Sequence, residues 1–319
     1  MSEANRASGV TAPTAQQDLL CTPATGQVIL SFDVEEHFRI EAAAGLPISP
    51  ALRAHYSERL EPSVRWLLDL LGRHGIRATF FVVGEIGRDH AGLIRAMHRD
   101  GHEVASHSWD HRRVHQLTPE AFREDLRKTR DTFEQITGEA VVGYRAPTFS
   151  VTRQTAWALD VLAEEGMLYD SSIYPVRHDR YGIPDAPRAP FLAQGREQAI
   201  LELPPALWRI CGLNIPAGGG GYFRLLPLGV MERAIRQVRR HCRPPVATLY
   251  FHPWEFDPDQ QRLPLGLLGR FRTYVGVGRS RERFATLLSR HCFARAVDVA
   301  RELDEQREAL PTFQVVREV

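Results

Sequence analysis

Short, largely apolar runs alternate with helical stretches along the first half of the chain. This alternation constrains the fold more than any other feature. Gln27-Val-Ile-Leu-Ser-Phe-Asp33, Ala78-Thr-Phe-Phe-Val-Val83, His102-Glu-Val-Ala-Ser106, Val141-Val-Gly-Tyr144 and the stretch at Tyr169-Asp170 read as strands. Between them lie helical patterns. Val64, Leu67, Leu68 and Leu71 form one apolar stripe that closes at His74-Gly75, and a second pattern runs through Ala91–Met97. A third begins at Thr118-Pro119, with threonine as N-cap and proline at the first helical position, and ends at Thr137-Gly138. A fourth spans about Thr152 to Glu165. Strands that are apolar on both faces and separated by helices predict a parallel sheet covered by helices.

Polar residues follow successive strands: Asp33, His107, Arg145 and, later, His252. In a barrel such residues converge on one mouth, whereas an open sheet gathers them only where the strand order reverses. A barrel or part-barrel is therefore expected. Residues 175–227 are rich in proline and glycine, and the run Gly218-Gly-Gly-Gly221 among them reads as a flexible or closely packed loop. That glycine run lacks the lysine and Ser/Thr of a phosphate-binding loop.

Within 101–115, His107-Ser-Trp-Asp-His111 carries two histidines four apart. Alone, such a pair is more often surface than ligand, and His102 and His115 lack the same geometry. The Asp33-Val-Glu35 pair changes the balance. On an extended chain an i, i+2 spacing places both acids on one side, and two acids closing an apolar strand are costly without a task. Two histidines and a carboxylate suit a divalent ion that holds a water, and the second carboxylate would be the base that deprotonates it. The chemistry this implies is hydrolysis of an amide or ester.

Taken in order, Ser31-Phe-Asp-Val-Glu35, Thr79-Phe-Phe-Val-Val-Gly84, His107-Ser-Trp-Asp-His111, Arg145-Ala-Pro147 and Phe251-His-Pro253 resemble the motifs of the NodB-type polysaccharide deacetylases, carbohydrate esterase family four. Gly219-Gly-Gly-Tyr-Phe-Arg224, His252-Pro-Trp-Glu-Phe-Asp-Pro258 and Arg272-Thr-Tyr274 resemble the subgroup found with exosortase and exopolysaccharide loci, which carries a C-terminal module. The resemblance implies a distorted (β/α)7 barrel with a C-terminal extension. It divides the chain into a disordered leader (1–26), a catalytic domain (27–258) and a C-terminal module packed on the barrel (259–319).

The resemblance also implies roles. Glu35, His107 and His111 would hold a divalent ion, most often zinc, with Glu36 the competing acid. Asp33 would be the general base, Arg145 would pair with it, and His252 would be the general acid. Asp170 is a candidate to orient His252. Tyr144, Pro147, Tyr222, Arg224 and Trp254 are candidate substrate contacts, with Arg272 and Tyr274 weaker ones. Most members carry two adjacent acids where this chain has Asp33-Val-Glu35. That spacing also occurs in metal-independent imide and allantoin hydrolases.

The implied activity is metal-dependent removal of N-acetyl groups from acetamido sugars of an exopolysaccharide or its precursor. The alternatives are a cyclic ureide or imide hydrolase and an inactive carbohydrate-binding relative. A net charge of +1 gives no electrostatic case for nucleic acid. No apolar run is long enough to cross a bilayer, no signal peptide opens the sequence, and Cys21, Cys211, Cys242 and Cys292 lack any CxxC spacing. These features predict reduced thiols and a cytoplasmic location.

Overall fold

The computed structural model of the chain describes residues 27–178 and 180–316, so the expected leader lies outside the described residues. Its elements in order are β1 (Gln27–Val34), α1 (Pro50–Arg73), β2 (Thr79–Val82), α2 (Gly84–Asp89), α3 (Ala91–Arg99), β3 (Glu103–Ser106), α4 (Pro119–Thr137), β4 (Gly143–Tyr144), α5 (Trp157–Glu164) and β5 (Tyr169–Asp170). Then follow β6 (Phe191–Gln194), β7 (Ala199–Glu202), β8 (Leu207–Ile210), β9 (Leu213–Pro216), α6 (Gly220–Leu225), α7 (Leu228–His241) and β10 (Val246–Phe251). The C-terminal part adds α8 (Leu267–Tyr274), α9 (Val277–Leu288), α10 (Ala296–Asp304) and β11 (Thr312–Gln314).

Strands β10-β1-β2-β3-β4-β5-β7 run parallel in that order, and antiparallel β6 with β11 extends the sheet beyond β7. The parallel strands form a curled half-barrel. Between β7 and β10 the only ladder contacts among the described residues are isolated parallel bridges, Pro205 to Thr248 and Gly219 to Tyr250. The result is the distorted (β/α)7 barrel with a C-terminal extension that the resemblance implies.

Local chemistry explains the helices. Ser49 Oγ accepts the Leu52 N–H (3.2 Å) with Pro50 in the first turn of α1, and Thr118 Oγ1 accepts the Ala121 N–H (3.2 Å) with Pro119 opening α4. Alternation along β1 sends Val28, Leu30, Phe32 and Val34 into the helix-covered core, while Ile29 joins the cluster inside the barrel with Phe81, Tyr169 and Leu201. Ser31 and Asp33 share that inward face.

The structure departs from the sequence reading in several places. The expected strand Val141–Tyr144 pairs only over Gly143–Tyr144, and the fourth helix begins with a 3-10 turn at Arg153–Thr155. Residues 175–227, where the sequence reading placed no strand, hold the hairpins β6–β7 and β8–β9. The first is fixed by a distant acid, because the Asp160 carboxylate accepts the N–H groups of Arg196 (3.0 Å), Glu197 (2.9 Å) and Gln198 (2.8 Å) at the turn. The glycine run is closely packed, since a Cβ on Gly219 (φ +151°) would meet the Tyr250 carbonyl oxygen at 1.6 Å.

The C-terminal segment is built into the barrel. Phe284 of α9 packs against Phe32 and Phe251. The start of α10 covers the N-terminal ends of β2 and β3, where Ala296 N donates to Thr79 Oγ1 (2.7 Å) and Val297 N donates to Glu103 Oε2 (2.9 Å). Among the described residues no helix is long and apolar enough to cross a membrane. Cys211 and Cys242 are free thiols, whereas Cys292 is disulfide-bonded. The expectation of reduced thiols thus fails at Cys292, and with it the cysteine argument for a cytoplasmic location.

Candidate metal and hydrolytic site

The C-terminal ends of the parallel strands meet in a groove of about 260 Å³, with Asp33, Glu35, His107, His111 and His252 at its base. Asp33 lies within β1 and Glu35 just beyond it. Both reach the same side, with His252 Nε2 3.9 Å from Asp33 Oδ2 and 3.6 Å from Glu35 Oε1. Glu36 turns away to pair with Arg39 Nε at 2.6 Å, which removes it as the competing ligand.

His107 follows β3. Its Nδ1 lies 2.7 Å from the Arg145 carbonyl oxygen, which can only accept. The ring proton therefore sits on Nδ1 and the Nε2 lone pair faces the site. Burial lowers the His107 pKa to about 4, against the opposing charges of Asp33 and Glu35, so the ring stays neutral. The chain then turns through left-handed conformations at Ser108 (φ 62°) and His111 (φ 66°), held by a bond from His111 N to Ser108 Oγ (2.9 Å). The buried Asp125 of α4 accepts the Trp109 N–H at 3.0 Å through each carboxylate oxygen, pinning the same turn. The four-residue histidine spacing thus works on a strained turn leaving a strand, with no helix involved.

One donor atom from each of Glu35, His107 and His111 lies within 4.8 Å of the others. Glu35 Oε2 is buried with no hydrogen-bond partner, and His111 Nε2 approaches it at 2.5 Å without the alignment of a hydrogen bond. Burial alone would raise the Glu35 pKa, but the imidazoles of His111, His252 and His107 bring it down to about 2. A buried carboxylate with an unpartnered oxygen and two imidazoles converging on one point is the donor set a divalent cation takes. The residues fit the ion.

Arg145 is fully buried and holds Asp33 from behind. Its Nη1 donates to Asp33 Oδ1 (2.7 Å) and Ser31 Oγ (2.9 Å), its Nη2 to Ser171 Oγ (2.8 Å) and its Nε to Ser171 O (3.2 Å). Asp33 Oδ2 is left facing the groove.

His252 is oriented by Glu255 and not by Asp170. Its Nδ1 lies 2.7 Å from Glu255 Oε1, three residues on in a 3-10 turn, and Glu255 is fully buried. Burial would lower the His252 pKa, but the hydrogen bond and charge of Glu255, with the charges of Glu35 and Asp33, raise it to about 9. Asp170 is elsewhere: it hydrogen-bonds Ser172 Oγ and lies beside Glu202 in the strand register. Burial raises the Asp170 pKa to about 6. The sequence signal for Glu255 was its i+3 position after the histidine in His252-Pro-Trp-Glu255.

The remaining candidates divide. Tyr222, Arg224 and Trp254 line the groove. Arg224 is buried, and its Nε lies 3.5 Å from Glu255 Oε2. The Trp254 ring lies 5.5 Å from the His252 ring at an interplanar angle of 27°. Tyr144 instead packs edge-on against Phe122 with centroids 5.5 Å apart, because strand alternation turns it outward. Pro147 is buried in a 3-10 turn, and its neighbours Thr148 and Phe149 line the groove in its place. Arg272 is exposed on α8, and the Tyr274 hydroxyl bonds His37 Nε2 (2.8 Å); neither residue lines the groove.

Residues 57–167, which carry both motif histidines and Arg145, match the family described as Polysaccharide deacetylase. Over these residues the chain carries a polysaccharide deacetylase domain. Residues 171–301 match a second family, described as Domain of unknown function (DUF3473). The peptidoglycan-N-acetylglucosamine deacetylase PgdA of Listeria monocytogenes is 38% identical over 91 residues, covering 28% of this chain and 19% of PgdA. The chitooligosaccharide deacetylase of Rhizobium leguminosarum bv. trifolii is 31% identical over 97 residues, covering 30% of this chain and 42% of that protein. The chain thus aligns with less than half the length of either relative.

In fold, a Mycobacterium smegmatis structure described as a polysaccharide deacetylase has a TM-score of 0.58 at 22% identity, covering 99% of this chain and 100% of that one. A PuuE allantoinase structure has a TM-score of 0.57 at 18% identity, covering 89% and 91%. The polysaccharide deacetylase match includes neither acid of β1 nor His252, which the fold alone brings to the histidines.

Proposed function

We propose that this chain is a metal-dependent polysaccharide deacetylase that releases acetate from N-acetylated sugars of an exopolysaccharide or its precursor. The observation that carries the reading is the convergence of the Glu35, His107 and His111 donors beside a free Asp33 oxygen and the Nε2 of His252. PgdA and the chitooligosaccharide deacetylase, both named for deacetylation of amino-sugar glycans, support the substrate class. Glu35 Oε2, His107 Nε2 and His111 Nε2 would hold the ion, and two imidazoles with one carboxylate suit zinc. When bound, the ion polarises the acetyl carbonyl and lowers the pKa of a water.

The chain's own residues supply the proton transfers. Asp33 Oδ2, with its other oxygen fixed by Arg145, takes a proton from the attacking water. Glu255 holds His252 as the imidazolium, its pKa raised to about 9, so with Nδ1–H directed to Glu255 the Nε2–H faces the groove and donates to the departing sugar amine. Trp254 and Tyr222 offer aromatic faces to the sugar ring. In domain terms, we assign 27–258 to the catalytic barrel and 259–319 to a module that braces it. Converging donors favour this reading over a metal-independent ureide hydrolase, and an intact acid–base set favours it over an inactive relative.

The test is acetate release from N-acetylglucosamine oligomers of graded length, before chelation, after chelation and after zinc is restored. Loss on chelation and recovery with zinc is expected. Full activity in metal-free protein would overturn the ligand assignment.

A further inference from the structure

The well-exposed large apolar side chains among the described residues are confined to two segments, 210–225 and 267–271. Leu213 (68%) stands on the β8–β9 hairpin, while Leu267 (89%), Leu268 (62%) and Phe271 (57%) stand together on α8. Helix α8 packs against α6, whose Tyr222 lines the groove, and its anchorage lies at its C-terminal end. There Arg224 Nη1 donates to Thr273 O and, at 3.3 Å, to Val275 O, and the Tyr274 hydroxyl accepts the Leu263 N–H (2.6 Å). The apolar crest at the other end of α8 is left to solvent.

Between Asp259 and Glu282 the charge of the segment that carries this crest is one-sided. Residues 260–281 hold Arg262, Arg270, Arg272, Arg279 and Arg281 and no acid, in a chain whose net charge is only +1. Arg281 is engaged with the Phe256 carbonyl oxygen and Arg262 lies over Tyr274. Arg270, Arg272 and Arg279 make no ion pair among the described residues.

We propose that α8 docks the protein on an anionic lipid bilayer, with Leu267, Leu268 and Phe271 entering the headgroup–acyl boundary and Arg270 and Arg272 meeting lipid phosphates. The pattern is that of an interfacial helix: a projecting apolar crest with flexible cations beside it whose stems reach back to the headgroups. Local basic charge without acid matches the negative surface of such a bilayer. Docking there holds the groove at the membrane. The further consequence, that the acetylated glycan is presented on a lipid carrier, rests on the function proposed above.

Sedimentation of the full chain with phosphatidylcholine vesicles, alone or mixed with phosphatidylglycerol, tests the proposal. Binding to the mixed vesicles and not to phosphatidylcholine alone is expected. Leu267→Asp with Phe271→Asp should weaken it at least tenfold. Arg270→Glu with Arg272→Glu should weaken it by roughly 25-fold or more at low salt, at about fivefold per arginine lost. Unchanged melting and unchanged acetate release from a soluble oligomer would show that these surface variants fold.

Absence of vesicle binding, equal binding to both compositions, or equal binding by the variants overturns the proposal. So does self-association that Leu267→Asp with Phe271→Asp abolishes, which would assign the crest to a second copy. If vesicle binding behaves as stated while no protein releases acetate, the docking stands and the proposed function falls.

Discussion

Replacing Glu255 by glutamine tests how the site controls its acid. Glu255 is fully buried and bonds His252 Nδ1 at 2.7 Å. The substitution keeps the shape and removes the charge. In the metal-free chain the His252 pKa stands at about 9 against an ordinary 6.5, and burial alone works the other way. Without Glu255 the value should fall to the ordinary range or below. A rise from 6.5 to about 9 corresponds to roughly 3 kcal/mol of folding stability. Because the folded chain holds this proton more tightly than the unfolded one, that stabilisation is full below pH 6.5 and is lost as pH rises through about 9. For a chain of 319 residues it amounts to a melting shift of roughly 5 °C. Calorimetry of metal-free protein across this range should show the decline in the parent and its absence in Glu255→Gln. In the zinc-loaded protein, whose ion shifts the starting value, the alkaline limb of kcat/KM should move to lower pH in the variant. Parallel stability curves for the two proteins would refute the assignment of Glu255 as the group that holds His252 protonated.

Other changes probe separate parts of the site. Asp33→Asn should fold and bind zinc yet lose roughly 10²- to 10⁴-fold in kcat, read by acetate release. His107→Ala should lose the ion itself, seen as the absence of stoichiometric zinc after dialysis. Asp125→Ala, which frees the turn between the two histidines, should weaken zinc roughly 10- to 100-fold while leaving the substrate KM close to the parent's. Gly219→Ala should destabilise the fold strongly, because its Cβ would lie 1.6 Å from the Tyr250 carbonyl oxygen; a parent-like melting temperature would contradict the packing described.

What the sequence made legible was local. Apolar runs ending in Asp33, His107 and Arg145 announced strands whose ends share one mouth, and Thr118-Pro119 and Gly138 marked both ends of a helix because capping is decided within a turn. The hairpin β6–β7 was hidden because its turn is pinned by Asp160, an acid some thirty-five residues upstream whose own neighbours suggest only a helix. The direction of the Tyr144 side chain was hidden for a related reason. A two-residue strand shows no alternation in sequence, so only the packed Phe122 ring tells which way the tyrosine points. Asp170 was chosen for its place at a strand end, but its neighbour is Glu202, an acid brought beside it by a strand that the sequence reading left unassigned.

The same reasoning bears on how the second half of the chain serves the first. The histidine pair and Arg145 lie within the polysaccharide deacetylase match, whereas His252, Glu255 and Arg224 lie within residues 171–301. Glu255 Oε1 bonds His252, and its Oε2 faces Arg224 Nε at 3.5 Å. Arg224 in turn donates to the carbonyls of Thr273 and Val275, and Ser280 Oγ donates to Glu255 O at 2.6 Å. A buried carboxylate beside a histidine needs such fixed partners, since an acid free to rotate would solvate itself before it oriented the ring. The region after β10 therefore acts on the site through Arg224 and Glu255. Loosening it should disturb the proton held at His252 before it disturbs the three groups that converge for the ion, so metal content should outlast activity in Ser280→Ala, which removes the bond to Glu255 O.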